Sequence, residues 1–142
     1  MSMVDLDAPT PQDPTEAQIR HFLGGNFELG RTEPDGLALL SNSTPALSNF
    51  LQPTPPAGSD PHRSVFTEMS LKELVKNAQH MTHLCIRYVF LLFQQPAGFD
   101  EQTEVNATTS IENFNISRFA QDVGLGNPLG GSFMLVGPDP ST

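Results

Sequence analysis

The chain has 142 residues, and sixteen acidic against seven basic side chains give it a formal net charge of -9 at pH 7. This length is typical of one domain. The acidic balance argues against a nucleic-acid backbone as partner, because affinity for phosphates is built from several Lys and Arg contacts. The single cysteine, Cys85, excludes an intrachain disulfide framework and a cysteine-only zinc site.

The N-terminal segment combines acidic residues, prolines and no hydrophobic period. We therefore expect residues 1–12 to form a flexible arm. Asp13 can cap a helix whose first position is a proline, and Gly24-Gly25 can end it. These signals predict a short helix from Pro14 to Leu23.

Two short runs, residues 26–31 and 37–41, flank the tripeptide Pro34-Asp35-Gly36. Proline presets its own backbone angle and glycine accepts the left-handed one, so the tripeptide predicts a turn and the runs predict a hairpin. Residues 13–51 are expected to form one unit of helix plus hairpin.

Proline also marks the segment after the hairpin. Thr44-Pro45 repeats the signature of a cap followed by proline and predicts one or two helical turns that end at Leu51. Residues 52–63 hold four prolines, which predicts a linker or an extended polyproline stretch.

The most informative pattern lies between Ser70 and Phe93. Ser70 and Glu73 form a capping box, and apolar residues then recur at alternating steps of three and four. This seam consists of Leu71, Leu74, Ala78, Met81, Cys85, Tyr88 and Leu92. From Leu84 onward the remaining faces are apolar too, so we expect one continuous helix over about residues 70–93 with a buried second half. The β-branched and aromatic content of residues 84–93 leaves a strand as the alternative.

The last third of the chain favours strands. Residues 101–111 are rich in β-branched side chains, and Phe114 and Ile116 would continue one face of a second strand. Residues 124–131 form a glycine-rich loop before a last strand at residues 132–136. We expect residues 64–136 to form the core around the central helix, and residues 137–142 to form a tail.

Candidate chemistry is sparse. His80 and His83 could reach one metal ion, but the pattern of a zinc-binding helix is absent, and Pro128 removes a donor from the glycine-rich loop. The carboxylate pair Asp5 and Asp7 falls in the arm, where no dry pocket would tune an acid or a base. We expect no cofactor and no metal, and the sequence favours a protein that is not an enzyme.

These elements predict an α+β fold with one long buried helix, a short N-terminal helix, a small hairpin, a strand-rich C-terminal third and extended proline-rich arms. The function we expect is that of a structural or protein-interaction subunit in a homo-oligomer or a larger complex, because such arms cannot cover an apolar helix unaided. The interface candidates are Met81, Tyr88, Phe90, Phe93 and Phe22.

Two alternatives stay open. One is a small-molecule-binding or catalytic α+β domain with an aromatic-lined pocket. Its lining would consist of Phe90, Phe93, Phe114, Phe119 and Phe133. The other is a regulatory protein whose acidic, proline-rich flanks recruit partners.

The sequence shows neither a signal-peptide pattern nor an apolar run long enough for a bilayer. The longest mostly apolar run, residues 84–93, contains Arg87 and is about half the length of a span. We therefore expect a soluble protein of the cytoplasm.

Overall fold

The structure, a computed structural model, describes residues 1–10, 13–55 and 86–137. Within these ranges the chain forms six strands, one 3-10 helix and one α-helix. In chain order they are β1 (Ser2–Asp5), β2 (Ile19–Leu23), β3 (Phe27–Thr32), β4 (Ala38–Asn42), β5 (Ile86–Leu92), the 3-10 helix (Phe99–Glu101), α1 (Ile116–Asp122) and β6 (Gly130–Val136). The predicted linker beyond residue 55 and the predicted tail beyond residue 137 lie outside the described residues.

The strands form two antiparallel sheets. A four-stranded sheet has the order β2-β1-β5-β6, and β3 pairs with β4 in a separate two-stranded sheet. The described fold is therefore mostly β, and the prediction of an α+β fold around a long helix is wrong.

The predicted arm is in fact an interior strand. All four residues of β1 are buried, with β2 on one side and β5 on the other. Val4, Leu6 and Ala8 alternate with Asp5 and Asp7, which is the period of two that a strand requires. The prediction of an arm rested on acidic residues, prolines and the apparent lack of a hydrophobic period, and it was wrong because this short alternation was missed.

The predicted helix over residues 70–93 is also wrong where the structure describes it. Ile86–Leu92 is strand β5, which pairs with β1 and with β6. A run that is apolar at almost every position suits a strand buried on both faces as well as a buried helix, and its β-branched and aromatic content favours the strand. The proposed capping box (Ser70 and Glu73), Met81 and Cys85 lie outside the described residues.

Three further predicted elements differ from the structure. Ile19–Leu23 is strand β2 and not the end of a helix, and residues 44–51 hold an isolated bridge from Ser48 to Leu23 instead of helical turns. The expected strands at residues 101–116 are replaced by turns and by the start of α1. Asn115 caps this helix, since its side chain accepts the Arg118 N–H at 2.9 Å.

The hairpin and the last strand are confirmed. β3 and β4 pair around the predicted turn, where Gly36 has a φ of 86° and its N–H donates to the Glu33 carbonyl at 2.9 Å. The last strand is β6, which begins two residues earlier than expected.

The hydrophobic core lies on both faces of the four-stranded sheet. The first face carries a cluster of Val4, Leu23, Val89, Phe99, Val105, Phe114, Ile116 and Phe119. The second face carries Met3 and Tyr88, with Phe22, Phe90, Met134 and Val136 packed against them. Phe93, Phe114, Phe119 and Phe133 belong to the first cluster or pack on it, and Phe90 packs on the second. The five aromatic residues are thus divided between two cores, and the predicted single pocket lined by them is wrong.

Candidate functional site

A buried acidic group and a buried phenol meet on the second face of the sheet. Asp5 of β1 lies directly opposite Tyr88 of β5, and both residues are buried. The Tyr88 hydroxyl donates a hydrogen bond to the Asp5 carboxylate. The Asp7 N–H donates to Asp5 Oδ1 at 2.8 Å, and Asp7 is itself buried. The Ala8–Pro9 peptide bond that follows is cis.

An irregularity in β2 brings His21 to the same place. Met3 pairs with Phe22 and Val4 pairs with Arg20, so His21 is an extra residue, which makes this a β-bulge. Arg20 lies over the Phe114 ring of the first cluster, whereas the His21 ring meets the Tyr88 ring edge-on at 4.9 Å. The bulge therefore turns His21 toward Tyr88 and Asp5.

The hydrogen bonds of His21 define its tautomer. Its Nδ1 lies 3.0 Å from the Leu51 carbonyl oxygen, and because a carbonyl can only accept, Nδ1 carries the proton. The Leu51 N–H in turn donates to the His21 carbonyl at 2.8 Å. His21 is only 6% exposed, and its Nε2 has no hydrogen-bond partner among the described residues. This nitrogen can accept a hydrogen bond when the ring is neutral and donate one when the ring is protonated.

The surroundings perturb the acid and the phenol in the same direction. Burial raises the pKa of Asp5 above its ordinary value, and the charge of Asp7 adds to the effect. Hydrogen bonds from the Asp7 N–H and the Tyr88 hydroxyl, together with His21, partly oppose this rise. Burial and the neighbouring Asp5 also raise the pKa of Tyr88. The phenol therefore stays protonated and remains a donor at neutral pH.

Arg20 supports β2 from the first face. Its guanidinium donates to the carbonyls of Thr109 at 3.0 Å and Ser110 at 3.2 Å. The backbone N–H of Arg20 donates to the Ile111 carbonyl at 2.8 Å. Burial lowers the pKa of this group, but arginine stays protonated in proteins. Arg20 thus ties β2, the strand that carries His21, to the loop before α1.

The interface candidates named from the sequence lie in different places. Tyr88 is in the site, Phe22 and Phe90 are half-buried beside it, and Phe93 packs against the first cluster. Met81 lies outside the described residues. Their role in an interface stays a prediction.

Sequence reasoning missed the acids and the histidine. Asp5 and Asp7 do not lie in a flexible, wet segment, since both are buried. The period of two around Val4 and Leu6 could have placed them on a strand. His21 was missed because it fell within the predicted N-terminal helix.

The cluster combines a buried carboxylate with an imidazole nitrogen that has no hydrogen-bond partner among the described residues. Within the described ranges, no group of three His, Cys, Asp or Glu side chains could hold a metal ion. His80 and His83 lie outside those ranges. No helix in the described part of the chain is long and apolar enough to cross a membrane.

In the described part of the chain, a β-sheet domain carries a buried polar cluster to which β1, β2 and β5 contribute. The family model described as phosphatidylethanolamine-binding protein matches residues 1–86, which is more than half of the 142 residues. The chain therefore belongs to the phosphatidylethanolamine-binding protein family. The matched range contains Asp5, Asp7 and His21, and Tyr88 lies two positions beyond it. No curated protein matches the chain.

Proposed function

We propose that this protein is a non-enzymatic binding protein whose ligand carries a phosphoryl group and an amine. The observation that carries the proposal is the buried, unpaired Nε2 of His21 beside the buried carboxylate of Asp5. A buried polar atom without a partner is unfavourable, so a ligand that supplies the missing hydrogen bond gains affinity from it.

The amine of the ligand is assigned to Asp5. An ionised carboxylate in a dry site is costly, and a bound ammonium group offsets that cost through a charge-assisted hydrogen bond. Burial raises the pKa of Asp5 despite the hydrogen bonds it accepts, which supports a carboxylate that its present neighbours compensate incompletely. Ligand binding should therefore favour the ionised form of Asp5.

The phosphoryl group is assigned to His21. With Nδ1 donating to the Leu51 carbonyl, protonation of the ring places an N–H at Nε2, and a phosphoryl oxygen can accept it. The family description names a lipid whose headgroup carries a phosphate and an amine. One such headgroup would pair with both residues.

Calorimetry with soluble phosphoethanolamine tests this assignment. We expect wild type to bind phosphoethanolamine more tightly than either ethanolamine or inorganic phosphate. Asp5→Asn keeps the shape of the side chain but removes its charge, and it should weaken binding by about 10- to 100-fold, the equivalent of one charge-assisted hydrogen bond. The matched control is Asp122→Asn, which changes an exposed acid of α1.

Two results would contradict the proposal. The first is a wild-type protein that does not bind phosphoethanolamine at millimolar concentration. The second is equal binding by wild type and Asp5→Asn, with circular dichroism showing that both are folded. Either result would mean that this cluster does not bind the proposed ligand.

Association between copies of the chain is a second proposal. An apolar helix with uncovered arms does not support it, because residues 86–92 form a strand and residues 2–5 lie inside a sheet. Support now comes from exposed leucines on the hairpin of β3 and β4.

A further inference from the structure

The hairpin formed by β3 and β4, residues 27–42, exposes an unusual number of leucines. Its side chains are exposed along the whole of β4 and along β3 after Phe27. Leu29, Leu37, Leu39 and Leu40 are between 43% and 76% exposed. Single exposed leucines are ordinary, but four within one short hairpin are a local concentration of exposed apolar side chains.

Leucines occur on both faces of this hairpin. Leu29 and Leu40 are direct cross-strand partners and share one face. Leu39 immediately precedes Leu40 in β4 and therefore points to the opposite face. A two-stranded hairpin is at best marginally stable in water by itself, so further pairing would stabilise it.

The base of the hairpin is held firmly to the rest of the protein. The Asn26 N–H donates to Gln95 Oε1 at 2.6 Å, and Gln95 Nε2 donates back to Asn26 Oδ1 at 2.6 Å. Asn26 Nδ2 also donates to Asp100 Oδ1 at 2.9 Å. The hairpin is thus anchored at one end while its strands remain exposed.

The outer edge of the hairpin lacks the usual protection against pairing. Sheet edges are commonly guarded by charged side chains or proline, and β4 (Ala38–Asn42) contains neither. Among the described residues its strand neighbour is β3 alone. We infer that β4 is a self-pairing edge, which joins β4 of a second copy to form a four-stranded antiparallel sheet.

The charges at the turn do not oppose a second copy in this arrangement, although the net charge is -9. The acidic residues Glu33 and Asp35 are at the turn, and Glu33 is already paired with Arg31 at 2.6 Å. Antiparallel pairing about a twofold axis puts the two turns at opposite ends of β4. Five residues at about 3.3 Å each separate them by roughly 17 Å, beyond the screening length of about 8 Å in physiological salt.

The apolar side chains are also self-complementary about that axis. Pairing centred on Leu40 places this residue opposite its own copy, so that the same patch serves both partners. Because side chains directly opposite one another share a face, leucine then contacts leucine across the new ladder. The partner this edge fits best is therefore a second copy of the chain.

Sedimentation velocity between 5 and about 500 µM tests the inference, a range that covers affinities from tight to weak. Wild type should move from monomer toward dimer as the concentration rises. Leu40→Lys would set two like charges against each other at the axis, and we expect it to weaken dimerisation at least tenfold. Leu129→Lys, which changes an exposed leucine outside the hairpin, should dimerise like wild type.

A cysteine variant provides a second readout. Leu40→Cys should form a disulfide-linked dimer under mild oxidation, because a residue on the axis meets its own copy, whereas Leu129→Cys should not exceed the wild-type background. A monomeric wild type at 500 µM, or unchanged dimerisation of folded Leu40→Lys, would overturn the inference. Asp5→Asn should still dimerise, so this result is separate from the test of the ligand site.

Discussion

The two faces of the four-stranded sheet are built from the same strands but hold different chemistry. On the first face, Val4 and Val89 pack against the aromatic residues of α1 and the loop before it. On the second face, the next residue of β1 and the preceding residue of β5, Asp5 and Tyr88, form a buried polar pair. The alternation of side chains along a strand thus lets one short segment supply a core and a site.

The faces also differ in the contacts that dominate them. On the first face, Phe119 makes edge or tilted contacts with Phe99 at 6.4 Å and Phe114 at 5.5 Å between ring centroids. Such contacts add to the gain from burial. On the second face, an imidazole nitrogen is buried without a partner among the described residues, and the carboxylate has a raised pKa. The first face also holds a buried nitrogen without a partner among the described residues, Arg20 Nε, but only the second face combines such a nitrogen with a buried carboxylate.

The largest expected effect concerns the first face. Phe119→Ala should lower the free energy of unfolding by about 3 to 5 kcal/mol, because it removes a buried ring and leaves a cavity among other aromatic residues. Urea unfolding measures this directly. Leu129→Ala, at an exposed position, should change stability by no more than about 0.5 kcal/mol. Similar losses in the two variants would show that the aromatic cluster is not the stabilising core.

Turn chemistry explains which parts of the fold could be predicted. The hairpin depends on Pro34-Asp35-Gly36 and on the strands beside it, so its signal is local. β1 and β5 depend on each other, since Asp5 pairs with Tyr88, a residue that is distant in the sequence. Local sequence patterns do not reveal such a pairing. They therefore predicted an arm and a helix for two segments that are neighbouring strands of one sheet.

The site was hidden for the same physical reason. The spacing of Tyr88 and Leu92 satisfies a helical seam, but in a run that is apolar at nearly every position any period can be found. His21 joins the site through a bulge, which a regular pattern does not contain. The acids could have been found from their alternation with Val4 and Leu6, but their partner could not.

A smaller effect is expected from Tyr88→Phe on the second face. The variant keeps the ring but removes a donor to the buried carboxylate of Asp5, and it should cost about 1 to 3 kcal/mol of stability near neutral pH. Urea unfolding of the variant and of wild type at pH 7 gives the difference. A variant as stable as wild type would mean that the hydroxyl does not support Asp5.

Tyr88 also allows a direct optical test, because the chain has one tyrosine and no tryptophan. Phenolate absorbance of the native protein should appear at a higher pH than that of the urea-unfolded protein, whose tyrosine titrates near about 10. Above that pH the unfolded chain loses a proton that the folded chain keeps, so wild-type stability falls as the pH rises. A native titration at or below the unfolded one would contradict the burial of the phenol.

The smallest expected effect is the pH dependence that Asp5 contributes. Burial raises the pKa of Asp5 in the folded protein, whereas the unfolded chain should titrate near about 3.9. Between these two values the folded state keeps a proton that the unfolded state has lost, so the free energy of unfolding of wild type falls as the pH rises through that window. Asp5→Asn does not titrate, and its stability relative to wild type should therefore improve from pH 3.5 toward pH 7.

Denaturant unfolding at several pH values measures this difference. Asp122→Asn, which alters an exposed ion pair with Arg118, should stay within about 0.5 kcal/mol of wild type across the series. If wild type instead gains stability over Asp5→Asn as the pH rises, the ionised form of Asp5 is the favoured one in the folded protein. The hydrogen bonds from Tyr88 and Asp7 would then outweigh burial, and the second face would already satisfy the charge that we assign to a ligand amine.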